Sequence, residues 1–353
     1  MNSFGRIFRI TIFGESHGES VGINIDGCPA GLPLKVEDFL EDIERRKGGT
    51  QKGTTPRKED DLPFFKSGIF NDTTTGAPIT ILFENNNTRS TDYAKQRAVP
   101  RPGHADLVAR QKYGGFEDYR GGGHFSGRLT VALVAAGVIA KKLLLHSAGS
   151  ATPNGASGKH QANHPAAGIS IHADIKEIAG ESNPESGLQK AIEAKDSVGG
   201  IVECRVSGLP AGLGEPFFDS VESVISHAVF AIPAVRGIEF GTGFAAAKMF
   251  GADHNDAIEN STGLTRTNHA GGVVGGISNG NELVFRIAIK PTSSTPKEQQ
   301  TLNLESGNIE SFSVKGRHDL CIALRVPVVL EAVTAIVLAD LMMLEHRIPR
   351  ILG

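Results

Sequence analysis

The sequence contains little cysteine and no tryptophan. Its three cysteines, Cys28, Cys204 and Cys321, are far apart and form no C-x-x-C pair. We therefore expect neither a disulfide framework nor a cysteine-based metal site. The charge is also nearly balanced, at −3 with 36 basic and 39 acidic residues. This balance argues against a dedicated nucleic-acid-binding protein.

Long apolar segments are missing as well. The longest apolar run covers residues 129–140 and is followed by two lysines, whereas a transmembrane helix needs about 20 apolar residues. The first residues lack the apolar core and cleavage site of a signal peptide. We therefore expect a cytoplasmic protein that does not enter a membrane.

Glycine, in contrast, is abundant. The chain has 43 glycines in 353 residues, about 12% against a usual ~7%. Many are clustered beside charged or hydroxyl residues, as at 121–123 and 275–276. Such clusters let backbone N–H groups approach a ligand closely, although a tight turn is the commoner reason for any one of them.

Hydrophobic periodicity predicts an alternation of strands and helices. The nearly all-apolar segment 128–145 should be a buried helix, and the small, polar residues at 147–167 predict an exposed, mobile loop. Motifs on both sides of this loop are alike in kind, so we predict a single domain over 1–353. We predict strands at 6–13, 21–26, 65–70, 79–83, 168–178, 199–208 and 283–289, and helices at 36–47, 128–145, 220–230 and 331–345.

A short sequence occurs twice. Residues 25–34 and 206–216 each read as the end of a strand followed by G-x-P-A-G-L. An internal pseudo-repeat of two related halves would explain the similarity. Chance similarity between turns rich in glycine and proline explains it equally well.

The stretch FGESHGES at 13–20 fits the G-x-S-x-G pattern of a serine-hydrolase nucleophile elbow. Such an elbow needs a strand before the serine and a helix after it. A strand-like run precedes Ser16, but the following residues alternate as a second strand, so we predict a β-hairpin. The tip of this hairpin carries Glu15, Ser16 and His17, and an ordinary polar turn explains it as well as a functional site does.

Five further stretches place ionisable or hydroxyl side chains in loops constrained by glycine or proline. Holding charged groups in rigid loops costs folding stability, and a turn with a purely structural role rarely needs such groups. His17 and His104 are the best candidate general acids, although a lone histidine or an Asp319–Arg317 ion pair can equally be structural. The stretches are RPGHAD at 101–106, YRGGGHFSGRLT at 119–130, TNHAGGVVGGIS at 267–278, KPTSS at 290–294 and KGRHD at 315–319.

Several cations in these stretches and in the basic loop at 45–58 have few acidic neighbours in the sequence. Guanidinium groups pair bidentately with carboxylates and phosphates, so their convergence predicts a pocket for a multiply anionic ligand. The sequence contains neither a P-loop nor a Rossmann fingerprint, which disfavours the enzymes that use them. The cations are Arg45, Arg46, Lys52, Arg101, Arg120, Arg128 and Arg317.

Taken together and in this order, the motifs closely resemble the chorismate synthase family. The matches are FGESHG, RPGHAD, YRGGG, GLPAGLGEP, NHAGG, KPTSS and GRHD. The resemblance covers nearly the whole chain and is weakest over 147–195, which has no motif to match. The resemblance implies an α+β fold described as a βαβ sandwich, in which two antiparallel sheets enclose a central layer of helices. It also implies a homotetramer.

The resemblance further implies a lyase of the shikimate pathway of aromatic amino acid biosynthesis. The family converts 5-enolpyruvylshikimate 3-phosphate to chorismate by an anti 1,4-elimination of phosphate. The reaction has no net redox change but requires reduced FMN, which supplies the difficult chemistry. NADPH would enter only indirectly, as a source of flavin reduction. Because we see no appended reductase domain, we expect a separate flavin reductase.

Transferred residue by residue, the resemblance assigns roles to the motif side chains. His17 would protonate the departing phosphate, His104 would act on the reduced flavin, and Asp319 would relay a proton. No metal is implied. Substrate anions would be held by Arg45, Arg46, Lys52 and Arg128. The flavin would be bound by His124, Phe125, Ser126, Pro233, Ala234, Gly275, Lys290, Pro291, Thr292, Ser293, Ser294 and Arg317.

Three positions depart from the family pattern. The glycine triplet is commonly followed by Arg-Ser-Ser-Ala-Arg, but here residues 124–128 are HFSGR. Lys52 stands where arginine is frequent, which keeps the charge but loses the bidentate fork. Pro233 stands where a side-chain amide is often found. None of these changes removes a presumed catalytic residue.

Two rival functions fit parts of the sequence. A flavin- or nucleotide-binding module would keep the glycine-rich loops without needing His17, His104 and Asp319 together. A phosphotransferase that uses the basic loop at 45–58 would need carboxylates for a divalent metal ion. The sequence has no D-x-D or similar pair in a constrained loop.

Overall fold

The computed structural model describes residues 1–49, 52–57, 59–87, 97–149, 168–314 and 318–352. These residues form a mixed α/β protein with several antiparallel sheets, as predicted. The strands are β1 (Ser3–Phe4), β2 (Arg9–Gly14), β3 (Ser20–Asp26), β4 (Phe64–Ser67), β5 (Ile69–Phe70), β6 (Thr73–Thr74), β7 (Ile79–Glu84), β8 (Ser170–Ile178), β9 (Gly200–Ser207), β10 (Val235–Phe240), β11 (Val273–Val274), β12 (Ile277–Ser278), β13 (Leu283–Ile289), β14 (Gln299–Leu302) and β15 (Ile309–Phe312).

The helices separate and flank these strands. Short 3-10 helices lead directly into two of them, at Gly127–Leu129 before α3 and at Ile322–Arg325 before α7. The helices are α1 (Glu37–Arg46), α2 (Asp106–Tyr113), α3 (Thr130–Gly149), α4 (Pro184–Ala194), α5 (Val221–Val229), α6 (Gly251–His254) and α7 (Val326–Leu344).

Two antiparallel sheets share one strand order. The first sheet has the order β1-β2-β3-β7-β4, and the second has the order β10-β13-β9-β8. Apart from β1, each sheet places its strands, counted along the chain, in the order first, second, fourth and third. A helix follows the second strand in both sheets, α1 after β3 and α5 after β9.

The predicted N-terminal hairpin is confirmed. Strands β2 and β3 pair in antiparallel register, with Phe13 opposite Gly22 and Gly14 opposite Val21. Ser16 and His17 lie in the turn between these strands. The nucleophile-elbow alternative is therefore excluded, because no helix follows the serine.

The core is built on the packing of α3 against α7. Helix α3 also contacts β3 and β7 of the first sheet, while α7 contacts β8 and β9 of the second. At the helix contact, a Cβ atom on Gly137 would lie 2.2 Å from the Cβ of Ala332. Glycine at this position therefore permits an approach that any side chain would block.

Both core helices are longer than the sequence analysis predicted. The predicted loop at 147–167 begins too early, because α3 continues to Gly149, and residues 150–167 lie outside the described part of the chain. Helix α7 begins at Val326, with Pro327 tolerated in its first turn. The helical stretches Gly127–Ser147 and Ile322–Leu344 are long and apolar enough to cross a membrane, but most of each is buried inside the protein.

Several elements were missed by the sequence analysis. Helix α2 is short, and α4 carries polar residues on most of its surface, so hydrophobic periodicity is weak in both. The start of α4 nevertheless had a recognisable signal, because Asn183 caps it and Pro184 occupies its first turn. Strand β10 pairs with β13 in a register that shifts between Val235 and Gly237. This shift interrupts the alternation of apolar and polar residues by which a strand is recognised in a sequence.

A buried carboxylate fixes the N-terminal segment to the core. Asp340 of α7 is 3% exposed. Its side chain accepts hydrogen bonds from the backbone N–H groups of Arg6, Ile7 and Phe8 at 2.9, 2.7 and 2.8 Å. The segment that enters β2 is thereby held at the C-terminal half of α7.

We predict that Asp340→Ala destabilises the protein strongly. Removing the carboxylate leaves three backbone donors without their acceptor, and each such loss costs about 1–3 kcal/mol. Urea denaturation should show a loss of about 3 kcal/mol or more in the free energy of unfolding.

Asp219→Ala is the matched control, because Asp219 binds the side chain of Arg6 in the same segment. The Arg6–Asp219 ion pair is exposed on both sides, so its removal should cost less than about 1 kcal/mol. Equal losses in the two variants would contradict the role given to Asp340.

Candidate active site

A cavity of about 400 Å³ lies where the segments that precede α3 and α7 meet two loops, at 101–105 and 290–294. Its size is within the range of roughly 300–1,000 Å³ that is typical of small-molecule sites. It brings together residues from both halves of the chain. No group of three or more histidine, cysteine, aspartate or glutamate side chains suited to a metal ion was found among the described residues.

Most of the predicted site residues line this cavity. They come from six separate stretches, which only the tertiary fold brings together. The predicted residues in the cavity wall are Arg46, His104, Phe125, Ser126, Arg128, Pro233, Ala234, Lys290, Thr292, Ser293, Ser294 and Asp319.

Six predicted residues do not line it, and one cannot be placed. Lys52, Gly275 and Pro291 are exposed outside the cavity wall. Arg317 lies outside the described residues. The remaining three are the partly exposed Arg45, the buried His17 and the half-buried His124, and each is treated below.

One buried aspartate holds the two arginines that were predicted to bind substrate. Arg46 donates a hydrogen bond to Asp61 at 2.8 Å, and Arg128 donates a second to the other carboxylate oxygen. All three side chains are almost completely buried. Arg128 is fixed further by Asn85, whose side-chain oxygen accepts at 2.9 Å. The guanidinium groups are thus preorganised in the cavity wall.

The electrostatics of this cluster follow from its burial. Burial acts to raise the pKa of Asp61, but the charges of Arg46 and Arg128 outweigh it and hold that pKa below its usual value. Burial lowers the pKa of Arg46, although Asp61 opposes this effect. Two arginines share one carboxylate, so the cluster carries a net positive charge that suits an anionic ligand.

Arg45 is not part of the cavity, contrary to the prediction. Its guanidinium makes two hydrogen bonds to Glu331 of α7, at 2.7 and 2.8 Å, and one to Asp42 at 2.8 Å. Lys141 of α3 also contacts Glu331. Arg45 therefore links α1 to α7.

Five of the seven cations singled out in the sequence have acidic partners in the fold. Besides Arg45, Arg46 and Arg128, Arg101 pairs with Asp106 and Arg120 pairs with Asp118. The Arg101 pair is close to the cavity and the Arg120 pair is partly exposed. The arginines are compensated by partners that the fold supplies, and several of these partners lie far away in the sequence.

The RPGHAD and KPTSS loops are joined by hydrogen bonds. Arg101 donates to the Ser294 hydroxyl at 3.1 Å, and Ser293 donates to the carbonyl of Gly103 at 2.8 Å. Lys290 donates to the same carbonyl at 3.1 Å. Burial lowers the pKa of Lys290, and the nearby Arg236 lowers it further. The two loops therefore form one wall of the cavity, which presents hydroxyl groups and a lysine.

Asp319 also lines the cavity, just before the 3-10 helix that leads into α7. Its carboxylate accepts a hydrogen bond from the backbone N–H of Thr55 at 2.8 Å and another from Arg325 at 3.0 Å. Arg325 also donates to the carbonyl of Arg46 at 2.8 Å. These contacts hold the carboxylate in place at the cavity wall.

His17 is buried directly behind the cavity wall. A Cβ on Gly121, which lines the cavity, would lie 2.2 Å from the His17 ring. Burial lowers the pKa of His17, and the positive charge of Arg57 lowers it further. Arg57 lines the cavity, donates to the Ser16 hydroxyl at 3.2 Å and pairs with Glu59. An anion bound near His17 would favour its protonated form.

His124 faces a second cavity beside the first. One ring nitrogen lies 2.8 Å from the carbonyl of Gly14, which ties the glycine triplet to the hairpin. The second cavity, of about 350 Å³, is largely apolar, and Ile10, Leu133 and His124 line it. Phe125 and Ser126 line both cavities. Phe125 is therefore part of the partition between them.

Several cavity residues were missed by the sequence analysis, among them Arg57, Asp61 and Arg325. Arg57 lies in the basic loop at 45–58, which was read as a whole rather than residue by residue, and Asp61 lies just beyond that loop. Arg325 precedes α7, where an arginine directly before a long apolar helix was a usable signal. The cavity also includes Thr55, whose N–H orients Asp319.

The fold and the cavity define an α/β protein with a preorganised site for a multiply anionic small molecule. The sequence model of the chorismate synthase family matches residues 8–343. The chain belongs to the chorismate synthase family, whose members are lyases.

Individual relatives agree with this assignment. The chain is 71% identical over 351 residues to a chorismate synthase of Chitinophaga pinensis, with 99% of both chains covered. It is 45% identical over 360 residues to one of Dehalococcoides mccartyi, again with 99% of both covered. A solved chorismate synthase structure superposes with a TM-score of 0.67 at 25% identity, covering 97% of this chain and 93% of that one.

We predict that Asp61→Asn destabilises the protein at neutral pH. The change leaves two buried arginines without a counter-charge, which should cost about 3–5 kcal/mol of unfolding free energy. Because the folded pKa of Asp61 is below its unfolded value, its stabilisation exists above pH about 4 and is lost as the pH falls through the folded pKa.

Unfolding measured between pH 7 and pH 2 should therefore show wild type and Asp61→Asn converging at low pH. Asp72→Asn is the control, because Asp72 pairs with Lys35 on the exposed surface and should shift stability by less than about 1 kcal/mol. A wild-type advantage that persists unchanged at pH 2 would contradict the charge-based account.

Proposed function

We propose that this protein is a chorismate synthase that converts 5-enolpyruvylshikimate 3-phosphate to chorismate, by an anti 1,4-elimination of phosphate with reduced FMN. The observation that carries this proposal is the convergence of Arg46, Arg128, His104 and Asp319 on one cavity in a chain of this family. The substrate has two carboxylates and a phosphate, which suits a cationic, hydrogen-bonding cavity.

Substrate anions are held by the guanidinium groups of Arg46 and Arg128. Asp61 fixes both groups, so little side-chain entropy is lost when they bind the ligand. Arg57 and Arg325 also face the cavity, and they add positive charge near His17 and Asp319. Arg45 and Lys52 have no part in this assignment.

The cavity residues fit a flavin mononucleotide. One wall presents Lys290 and the hydroxyl groups of Thr292, Ser293 and Ser294, which suit a phosphate or a polyol chain. Another wall presents Ile232, Pro233, Ile322 and Val329, which suit the flat apolar face of a ring system. Reduced FMN, when bound, supplies the transient electron that the elimination requires.

Three side chains hold or move protons around the substrate. His17 carries the proton for the departing phosphate, whose negative charge favours the imidazolium form. Asp319, oriented by Thr55 and Arg325, accepts and passes on a proton at the cavity wall. His104 acts from the loop at 101–105, on the same wall as Lys290.

The layering of the fold supports the finer description as a βαβ sandwich. The helices α3 and α7 contact one sheet each and pack on one another, which is what a central helical layer between two sheets requires. The shared strand order, the matching helices α1 and α5, and the two G-x-P-A-G-L turns support an internal duplication. In those turns Gly27 and Gly208 have φ of 76° and 73°, and Gly31 and Gly212 both have φ of 94°.

The biological setting follows from the same reaction. We place the enzyme in the cytoplasm, in the shikimate pathway, and we expect a homotetramer, as the family resemblance implies. NADPH enters only indirectly, through a separate reductase that supplies reduced flavin. The buried state of both long apolar helices is consistent with this location.

The direct test is an anaerobic assay with 5-enolpyruvylshikimate 3-phosphate and chemically reduced FMN, in which chorismate and phosphate are followed together. We expect equal amounts of both products, and none with oxidised FMN alone. Flavin binding without product would favour the binding-module alternative, and neither binding nor product would contradict the proposed function.

We predict that His17→Ala and His104→Ala fold normally but lose turnover, by roughly 10²–10⁴-fold each, as expected for removal of a general acid. Steady-state kcat in the anaerobic assay measures the effect. His172→Ala is the control, because His172 is exposed on the second sheet and should retain wild-type kcat. Wild-type rates in both active-site variants would refute the assigned roles.

We also predict that Arg128→Lys raises KM for the substrate by about 10–100-fold, because it loses a bidentate contact to a charged group. Arg45→Lys is the matched control from the same predicted set. Since Arg45 binds Glu331 instead of lining the cavity, its KM should stay near the wild-type value. A similar rise in KM for both variants would show that Arg45 reaches the substrate.

A further inference from the structure

Asp106 lies next to His104 and makes the strongest set of contacts in this part of the site. One carboxylate oxygen is 2.6 Å from the Nδ1 atom of His104 and 2.8 Å from Arg101 Nη2. The other oxygen accepts from Arg101 Nε at 2.8 Å and from the Arg101 backbone N–H at 3.1 Å. Asp106 itself does not line the 400 Å³ cavity.

These contacts keep the carboxylate ionised. Burial acts to raise the pKa of Asp106, but hydrogen bonds from Arg101 and His104 outweigh it and hold the pKa well below its usual value. Asp106 is also the first residue of α2, where the helix dipole favours a negative charge. An ionised carboxylate can only accept hydrogen bonds.

The geometry then determines the protonation of the His104 ring. Because Asp106 can only accept, the 2.6 Å contact requires a proton on Nδ1. Arg101 Nη2 is also 3.0 Å from this nitrogen, but arginine only donates, so its hydrogen bond goes to Asp106. Within the described parts of the chain, Nε2 of His104 has no hydrogen-bond partner, and the ring lines the cavity.

We propose that Asp106 is a positioning residue that fixes His104 as the Nδ1–H tautomer and leaves Nε2 as the nitrogen that acts in the cavity. Arg101 anchors Asp106 with its guanidinium fork and ties it to Ser294 of the KPTSS loop. Asp106 therefore acts through His104 and touches neither substrate nor cofactor. The catalytic part of this inference rests on the proposed function, whereas the tautomer does not.

Asp106→Asn is the informative substitution. An amide has one acceptor oxygen, which Arg101 would attract, and the NH₂ group would then face Nδ1 and require it to accept. The neutral ring would become the Nε2–H tautomer. In a well-studied histidine–aspartate pair of serine proteases, the same type of change preserves geometry but severely reduces kcat through the wrong tautomer.

The first measurement is ¹⁵N NMR of protein labelled at its 12 histidines, without flavin or substrate. The His104 signal is identified from its absence in His104→Gln. We expect protonated Nδ1 and unprotonated Nε2 in the neutral wild-type ring, and the reverse in Asp106→Asn. An Nε2–H tautomer in the wild type would overturn the proposal, even if the variant failed to fold.

The second measurement is steady-state kinetics in the anaerobic assay. Asp106→Asn should lower kcat by about 100-fold with little change in KM, and Asp106→Glu, which restores a carboxylate, should recover much of this loss. Asp174→Asn is the control, because Asp174 forms an exposed pair with His172, 3.0 Å away, and should keep wild-type kcat.

The two measurements distinguish a failure of the positioning role of Asp106 from a failure of the proposed function. Wild-type kcat in Asp106→Asn, or a wild-type-like tautomer in that variant, would overturn the positioning role. A wild-type protein that makes no chorismate would refute the proposed function, while the NMR result would still decide the tautomer. A loss of kcat in Asp106→Asn with no change of tautomer would also count against the proposal.

Discussion

The close contact between α3 and α7 is the constraint on which the rest of the structure depends. It requires Gly137, because any side chain there would overlap Ala332. Helix α3 packs against the first sheet and α7 against the second, so the contact between the helices joins the two sheets. The same helices begin at the cavity, with Arg128 just before α3 and Arg325 just before α7. The geometry of the core and that of the site are therefore set together.

Ion pairs fix the orientation of the charged side chains in the site. Asp61 holds two arginines, Asp106 holds Arg101 and His104, and Asp319 is held by Arg325. Each carboxylate fixes the direction of a cationic group before a ligand arrives, which lowers the entropy that binding must overcome. We propose that the substrate's anions then interact with the remaining faces of these groups.

The sequence predicted the parts of this architecture that depend on local pattern. The N-terminal hairpin and strand β13 follow from the alternation of apolar residues, and the buried helix α3 follows from its nearly all-apolar composition. The motif loops indicated most of the cavity wall. Ion-pair partners could not be predicted, because Arg128 and Asp61 are 67 residues apart, and Arg45 and Glu331 are 286 apart. The resemblance therefore assigns Arg45 to the substrate, whereas in the fold Arg45 lies on α1 and its guanidinium binds Glu331 of α7. The Arg101–Asp106 pair, only five residues apart, was within reach of sequence reasoning.

The most direct test of the account is a crystal structure of the protein with 5-enolpyruvylshikimate 3-phosphate and FMN. We expect both ligands in the 400 Å³ cavity, with substrate anions on Arg46 and Arg128 and with Asp61 still bridging these arginines. Substrate bound elsewhere, such as in the apolar cavity beside Leu133, or an Asp61 that no longer contacts both arginines, would contradict the account.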